Sequence, residues 1–276
     1  MKPAIRSAPM FALALLCAQA GAADWSDTAI SVRYGTKFAE PFNTRDISKT
    51  IVALTHADGY KYGGNFFNVD LLNSDSKDPA VGGKSGAQEA YVVYRHTLDF
   101  GKLNGTTYKF GPFRGVGLTA GFDWNTKNDI GYSSRKRMLV LGSTLMVDVP
   151  GFWDISLLAL KESNAPNGIV RYDYDTHAML TTAWGIPIGA LPLSFSGFAN
   201  FIARKGKDEF GGDTGPETNI DMQLMWDAGL GMGMAKNTLQ IGVEYQYWKN
   251  KFGNRVAVAG PGAFAKTPML RVEYHF

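Results

Sequence analysis

The residues best suited to chemistry in this 276-residue chain are ionisable side chains on the polar faces of alternating segments. An extended strand sends successive side chains to opposite faces, so each charge shares a face with the residue two positions away. Such groups can hydrogen-bond the hydroxyls of a polar solute, and they can equally form a structural ladder of ion pairs. The candidates are Arg33, Asp123, Asp221, Glu244, Arg271 and Glu273.

Motifs for hydrolysis are missing from the sequence. A hydrolase would need a Ser or a carboxylate paired with a His, and no Gly-x-Ser-x-Gly elbow occurs. No metal-ligand spacing and no phosphate-binding loop occurs either. We therefore expect no enzymatic activity, no metal and no cofactor. The four histidines are His56, His96, His177 and His275.

The last eight residues predict the type of element that positions these groups. Apolar and ionisable residues alternate there, so one face of the strand is apolar and the other is charged. This apolar-out, polar-in alternation, ending on an aromatic residue, is typical of a strand in an outer-membrane β-barrel. The apolar positions are Leu270, Val272, Tyr274 and Phe276, and Arg271, Glu273 and His275 fill the gaps.

The amino terminus has the pattern of a secretory signal peptide. Lys2 and Arg6 form a basic region, residues 10–16 form a short apolar core, and small residues fill 18–23. We expect residues 1–22 to be the signal, with cleavage between 20 and 23. Residues 23–276 then form one barrel domain.

Composition limits the remaining choices. The single Cys, Cys17, lies in the predicted signal, so the exported chain would have no disulfide. A net charge of +3 is too small to indicate nucleic-acid binding. No other stretch is long and apolar enough for a transmembrane helix, so a membrane location requires a closed barrel.

About twelve strands can be counted from Trp25 onward. The clearest is 115–125, where Val116 to Trp124 alternate with a small, polar face. Connections alternate between short turns and long polar loops, as in transmembrane barrels with short periplasmic turns and longer extracellular loops. The connection 99–113 is an exception to this alternation. Residues 172–184 are predicted as one strand, and 57–59 as a tight turn.

A soluble β-sandwich is the alternative fold, since apolar and polar residues also alternate along its strands. Aromatic residues at predicted strand ends favour the membrane barrel, because such residues gather at membrane interfaces. They are Trp124, Trp153, Trp226, Tyr247 and Tyr274.

Three short segments make the chain resemble the nucleoside-specific channel-forming (Tsx-like) outer-membrane family. They are 34–38 (Tyr-Gly-Thr-Lys-Phe), 111–114 (Gly-Pro-Phe-Arg) and 197–201 (Gly-Phe-Ala-Asn-Phe), and the family also ends in Phe. The resemblance implies a monomeric twelve-stranded barrel whose narrow lumen passes nucleosides. It also implies that Phe38 is a stacking aromatic in the pore.

The resemblance implies weak binding of a nucleoside between aromatic rings and ionisable groups. Our stacking candidates are Phe38, Phe66 or Phe67, Phe198 and Trp248, and Lys37 joins the polar candidates. A membrane-facing position is an equal alternative for each aromatic. The two-residue alternation of the strand places Phe38 on the apolar face with Ile30 and Val32, unless a bulge intervenes.

The sequence thus predicts a channel for passive diffusion of nucleosides or similar small polar solutes in the bacterial outer membrane. Its partners would be the solute, outer-membrane lipid and the barrel-insertion machinery, which would recognise the strand ending at Phe276; nucleic acid is not expected. The alternatives are a general small-solute porin, a non-transporting structural or adhesion barrel, and a lipase-like barrel enzyme.

Overall fold

The computed structural model describes residues 23–276, and the predicted signal peptide, 1–22, lies outside the described residues. Long antiparallel strands dominate this part of the chain, and two short helices lie in connections. The strands are β1 (Trp25–Phe38), β2 (Ile47–Tyr60), β3 (Gly63–Ser74), β4 (Gln88–Asp99), β5 (Phe113–Lys127), β6 (Arg137–Val147), β7 (Phe152–Asn164), β8 (Tyr172–Asp173), β9 (His177–Pro187), β10 (Leu193–Ile202), β11 (Glu217–Asp227), β12 (Leu239–Lys249) and β13 (Phe264–His275), and the helices are α1 (Phe100–Asn104) and α2 (Val256–Ala259).

The sheet closes on itself. Each long strand pairs with its neighbour, β1 pairs with β13, and the β6–β7 pairing completes the ring. The two-residue β8 pairs only with the end of β7. Residues 23–276 therefore form a closed antiparallel barrel of twelve long strands, which confirms the predicted fold. Within the same residues, no helix is long and apolar enough to cross a membrane.

Alternation along the strands separates an apolar exterior from a polar lumen. In β5, Leu118 and Phe122 point outward and are 39% and 40% exposed, while Thr119 and Asp123 point inward and are buried. The closing strand repeats the pattern, with Leu270 67% exposed. A ring of paired strands leaves no open edge, so lipid contacts only side chains and backbone groups that are already hydrogen-bonded within the sheet.

Two connections differ from the sequence-based expectation. The predicted turn at 57–59 lies inside β2, because the ladder continues until Tyr60 pairs with Gly63. Gly63 allows close approach of β4, since a Cβ there would come 2.0 Å from the carbonyl oxygen of Thr97. The predicted strand 172–184 is split into β8 and β9 by residues 174–176.

The two ends of the barrel carry different connections. Six loops of eight to fourteen residues lie at one end, which we call the long-loop end: 39–46, 75–87, 128–136, 165–176, 203–216 and 250–263. The other end, the short-turn end, has tight turns such as 61–62 and 148–151, with longer connections at 100–112 and 228–238. The irregular 99–113 connection predicted from the sequence contains α1, which Asp99 caps by accepting from the backbone N–H of Gly101 at 2.8 Å.

Candidate functional site

A network of buried and partly buried charges runs along one side of the lumen wall, from β12 to β3. The Arg33 guanidinium bonds Asp70 and donates to Oε1 of Glu244 at 3.2 Å. Glu244 also accepts from Nη1 of Arg271 at 2.8 Å, and Arg271 binds Glu273. The Glu244 side chain is 1% exposed. Four predicted site residues are therefore linked by charge-assisted hydrogen bonds, which are stronger than neutral ones, and Asp70, which was not predicted, joins them.

A polar cavity of about 620 Å³ lies at the short-turn end of this network. Its wall includes ionisable groups from β1 and β13, hydroxyls from β10 and an amide from β12. Within it, Nδ1 of His275 lies 2.9 Å from Asp27, and Nε2 lies 3.0 Å from Glu273. The cavity is large enough for a small polar solute. Its lining includes Asp27, Ser194, Ser196, Gln240, Glu273 and His275.

The predicted carboxylates Asp123 and Asp221 also point inward. Asp123 accepts from the Tyr91 hydroxyl at 2.8 Å and pairs with Arg95. Asp221 accepts from the Gln246 amide at 3.3 Å. All three acceptor contacts are satisfied by the barrel itself, so a solute would compete with existing partners.

The aromatic candidates divide between the two sides of the wall. Phe66 pairs across the sheet with the inward Arg95, and its ring is 40% exposed inside the lumen. Phe67 pairs with Tyr94 on the outward face. Phe198 is the inward cross-strand neighbour of Asp221. Trp248 is also inward, and its indole N–H donates to Glu217 at 2.5 Å.

A bulge at the end of β1 decides the position of Phe38. The pairing with β2 shifts between Gly35 and Phe38, so Lys37 is exposed outside and Phe38 turns inward. Phe38 is 3% exposed and packs with Ile47, Ile51 and Met269. Its ring is thus covered by apolar side chains, and its face is not open to a solute. The predicted polar contact at Lys37 is not in the lumen.

Sequence reasoning missed a cluster of buried lysines around Glu40 at the long-loop end. Glu40 accepts from Lys49 at 2.6 Å and from Lys251 at 3.2 Å, and Lys127 lies 3.5 Å away. All four side chains are less than 10% exposed. Burial raises the pKa of Glu40, but the three lysine charges outweigh it and hold this pKa well below its usual value.

A second cluster surrounds Glu162. Lys205 donates to both carboxylate oxygens at 2.9 Å, and Lys136 lies 3.6 Å away. Burial and the nearby charge of Lys205 lower the pKa of Lys136 to about 8. Both clusters lie inside the barrel where the strands meet the long loops.

Loop 250–263, which we call the bridging loop, joins these clusters across the barrel mouth. The amine of Lys136, from the opposite wall, lies 3.8 Å from the Phe252 ring centroid. The same ring packs on Trp248 at 4.8 Å. The backbone N–H of Phe42 donates to the carbonyl of Ala259 at 3.0 Å. The long-loop end of the lumen is therefore covered, and the short-turn end contains the cavity.

One feature of the sequence, the position of Lys49, could have indicated the buried cluster around Glu40. Lys49 stands between Ile47 and Ile51 on the inward face of β2. A lone charge on an otherwise apolar strand face requires a buried partner. The identity of that partner, Glu40, depends on how loop 39–46 folds.

Structural comparison finds outer-membrane barrels with weak overall similarity. The KdgM porin is 10% identical and covers 90% of this chain and 99% of its own, with a TM-score of 0.44. The translocator domain of the autotransporter NalP from Neisseria meningitidis is 12% identical, with coverages of 96% and 92% and a TM-score of 0.40. The β domain of the Bordetella autotransporter BrkA is 11% identical, with coverages of 92% and 99% and a TM-score of 0.41. No protein-family model and no curated protein matches the chain.

The class of the protein follows from its own architecture. A closed ring of strands with an apolar exterior and a charged interior is a transmembrane β-barrel of the outer-membrane type. The chain is therefore a bacterial outer-membrane barrel protein.

Proposed function

We propose that this barrel is a channel for passive diffusion of small polar solutes, with the bridging loop controlling access from the long-loop end. The observation that carries the proposal is the polar cavity of about 620 Å³ that opens at the short-turn end of the lumen. Solute passage requires the bridging loop to move away from Lys136 and Glu40. The charged groups of the wall already have partners, so they would bind a solute only weakly, and weak binding suits passage because a tightly held solute does not leave.

Nucleosides are the solute class that we propose within this function. The resemblance to the Tsx-like family supports them, and so does the inward, partly exposed ring of Phe66 near Arg95. A base can stack on Phe66 while hydroxyls of the ribose bond a charged neighbour such as Arg95, the cross-strand partner of Phe66. Liposome swelling with adenosine or thymidine, compared with sugars of equal size, tests this selectivity.

Replacing Phe66 with Ala is expected to lower the nucleoside-to-sugar rate ratio by about fivefold or more. Stacking of a base on an aromatic ring contributes roughly 1–3 kcal/mol, and this variant removes the ring. Swelling rates should be measured both in the intact chain and in a background with a shortened bridging loop, so that closure of the mouth does not hide the effect.

The adjacent Phe67 provides the matched control. Phe67→Ala removes the same ring from the outward face of the same strand, so the rate ratio should be unchanged. Equal swelling rates for nucleosides and sugars in the unmodified chain would mean that the barrel is a general small-solute porin without selectivity for nucleosides. Equal effects of the two variants would show that Phe66 has no special role.

A further inference from the structure

Four basic residues gather on the outward face of the barrel at the long-loop end of β6 and β7. We call Arg135, Arg137, Lys161 and Arg171 the basic corner. Arg137 begins β6 on the face shared with Leu139, and Lys161 pairs directly with Leu139 across the sheet. The basic corner therefore lies where the apolar wall ends, at the level of lipid headgroups.

Hydrogen bonds hold Arg171 in this position. Its Nη1 donates to Oγ of Ser163 at 3.0 Å, and its Nη2 donates to the carbonyl of Arg135 at 2.8 Å. Ser163 is the cross-strand partner of Arg137. Arg171 is thus held beside Arg135 and Arg137 by backbone and hydroxyl contacts rather than by a carboxylate.

The positive charge of the basic corner is largely uncompensated. Asp173 is its acidic neighbour, 3.7 Å from Lys161, and the two side chains are 64% and 51% exposed. The formal net charge of these five residues is +3. Burial and the charges of Arg137 and Arg135 lower the pKa of Arg171, although Asp173 opposes this effect.

The outward face of the barrel below the basic corner is apolar. Leu139 and Leu141 on β6 are 64% and 55% exposed, Leu157 on β7 is 58% exposed, and Leu180 on β9 is 46% exposed. These side chains form a continuous surface along which acyl chains can lie. An anion with apolar tails would satisfy both the basic corner and this surface at once.

We propose that the basic corner binds the phosphate headgroup of an anionic lipid in the outer leaflet, with its acyl chains packed along Leu139, Leu141 and Leu157. Arginine favours phosphate because its planar guanidinium donates two parallel hydrogen bonds. The position also gives the lipid a role: it would anchor loops 128–136 and 165–176 to the membrane surface.

Native mass spectrometry of the detergent-solubilised barrel tests this site. The probes are doubly phosphorylated lipid A, the same lipid with its phosphates removed, and inorganic phosphate. The unmodified chain is expected to retain the phosphorylated lipid and neither of the others. The triple variant Arg137→Gln, Lys161→Gln, Arg171→Gln should bind it about 10- to 100-fold more weakly.

A control variant removes the same charge at the short-turn end. Lys61→Gln, Lys102→Gln, Lys109→Gln should bind the lipid as the unmodified chain does. The proposal is overturned if the triple variant keeps its affinity, if the dephosphorylated lipid binds equally well, or if inorganic phosphate binds as tightly as the lipid. The difference in gel mobility between heated and unheated samples shows whether each variant remains a folded barrel.

Discussion

Replacing residues 252–260 of the bridging loop with five Gly and Ser residues is expected to raise the ion conductance on the order of tenfold or more. The replacement removes Phe252 from its contacts with Lys136 and Trp248, and it removes the hydrogen bond from Phe42 to Ala259. A narrow constriction sets the conductance of a pore, so uncovering the mouth should dominate all other changes. Single-channel recording in planar bilayers measures the effect.

A second replacement at the same end of the barrel serves as the control. Residues 81–84, at the tip of loop 75–87, are solvent-exposed, and a Cβ added at Gly82 or Gly83 would meet no atom within 4 Å. Exchanging them for Gly and Ser should leave the conductance unchanged. An unchanged conductance in the bridging-loop variant would mean that this loop does not close the mouth.

Arg33→Met is expected to destabilise the barrel by about 3–5 kcal/mol. The substitution leaves the buried Glu244 and the partly buried Asp70 with one partner fewer, and removing one member of a buried ion pair is strongly destabilising. Combining Arg33→Met with Glu244→Gln should restore part of the loss, because the second change removes the uncompensated charge. Urea unfolding of the reconstituted barrel, followed by tryptophan fluorescence, measures these differences.

Arg45→Met is the matched control for this prediction. Arg45 is exposed in loop 39–46, and its backbone N–H and its Nε both donate to Oδ1 of Asn43, two residues away. A surface substitution of this kind changes stability by roughly 0.5 kcal/mol or less. A loss below about 1 kcal/mol for Arg33→Met would show that water in the lumen screens the network.

Strand alternation could be predicted from the sequence because it is a local property. The inward positions of Arg33, Asp123, Glu244 and Arg271 follow from parity alone, and each lies where the two-residue period places it. The closing pair β1–β13 follows from the membrane requirement that every edge be satisfied.

The position of Phe38 and the covered mouth could not be predicted in this way. One extra residue between Gly35 and Phe38 reverses the parity, so Phe38 turns inward while Lys37 stays outside. Glu40 and Lys251 are separated by 211 positions along the chain, and only the folded loops bring them together. Such contacts depend on loop conformation, which hydrophobic periodicity does not encode.

The arrangement of the wall can be measured most directly along β3. The only Cys of the sequence is Cys17, in the predicted signal, so single cysteines can be placed at 66, 67, 68 and 69. In liposomes, a charged maleimide that cannot cross lipid should label positions 66 and 68, which face the aqueous lumen. Positions 67 and 69 should stay unlabelled in lipid. Labelling without this alternation, or labelling of 67 and 69 alone, would contradict a barrel with a water-filled solute path.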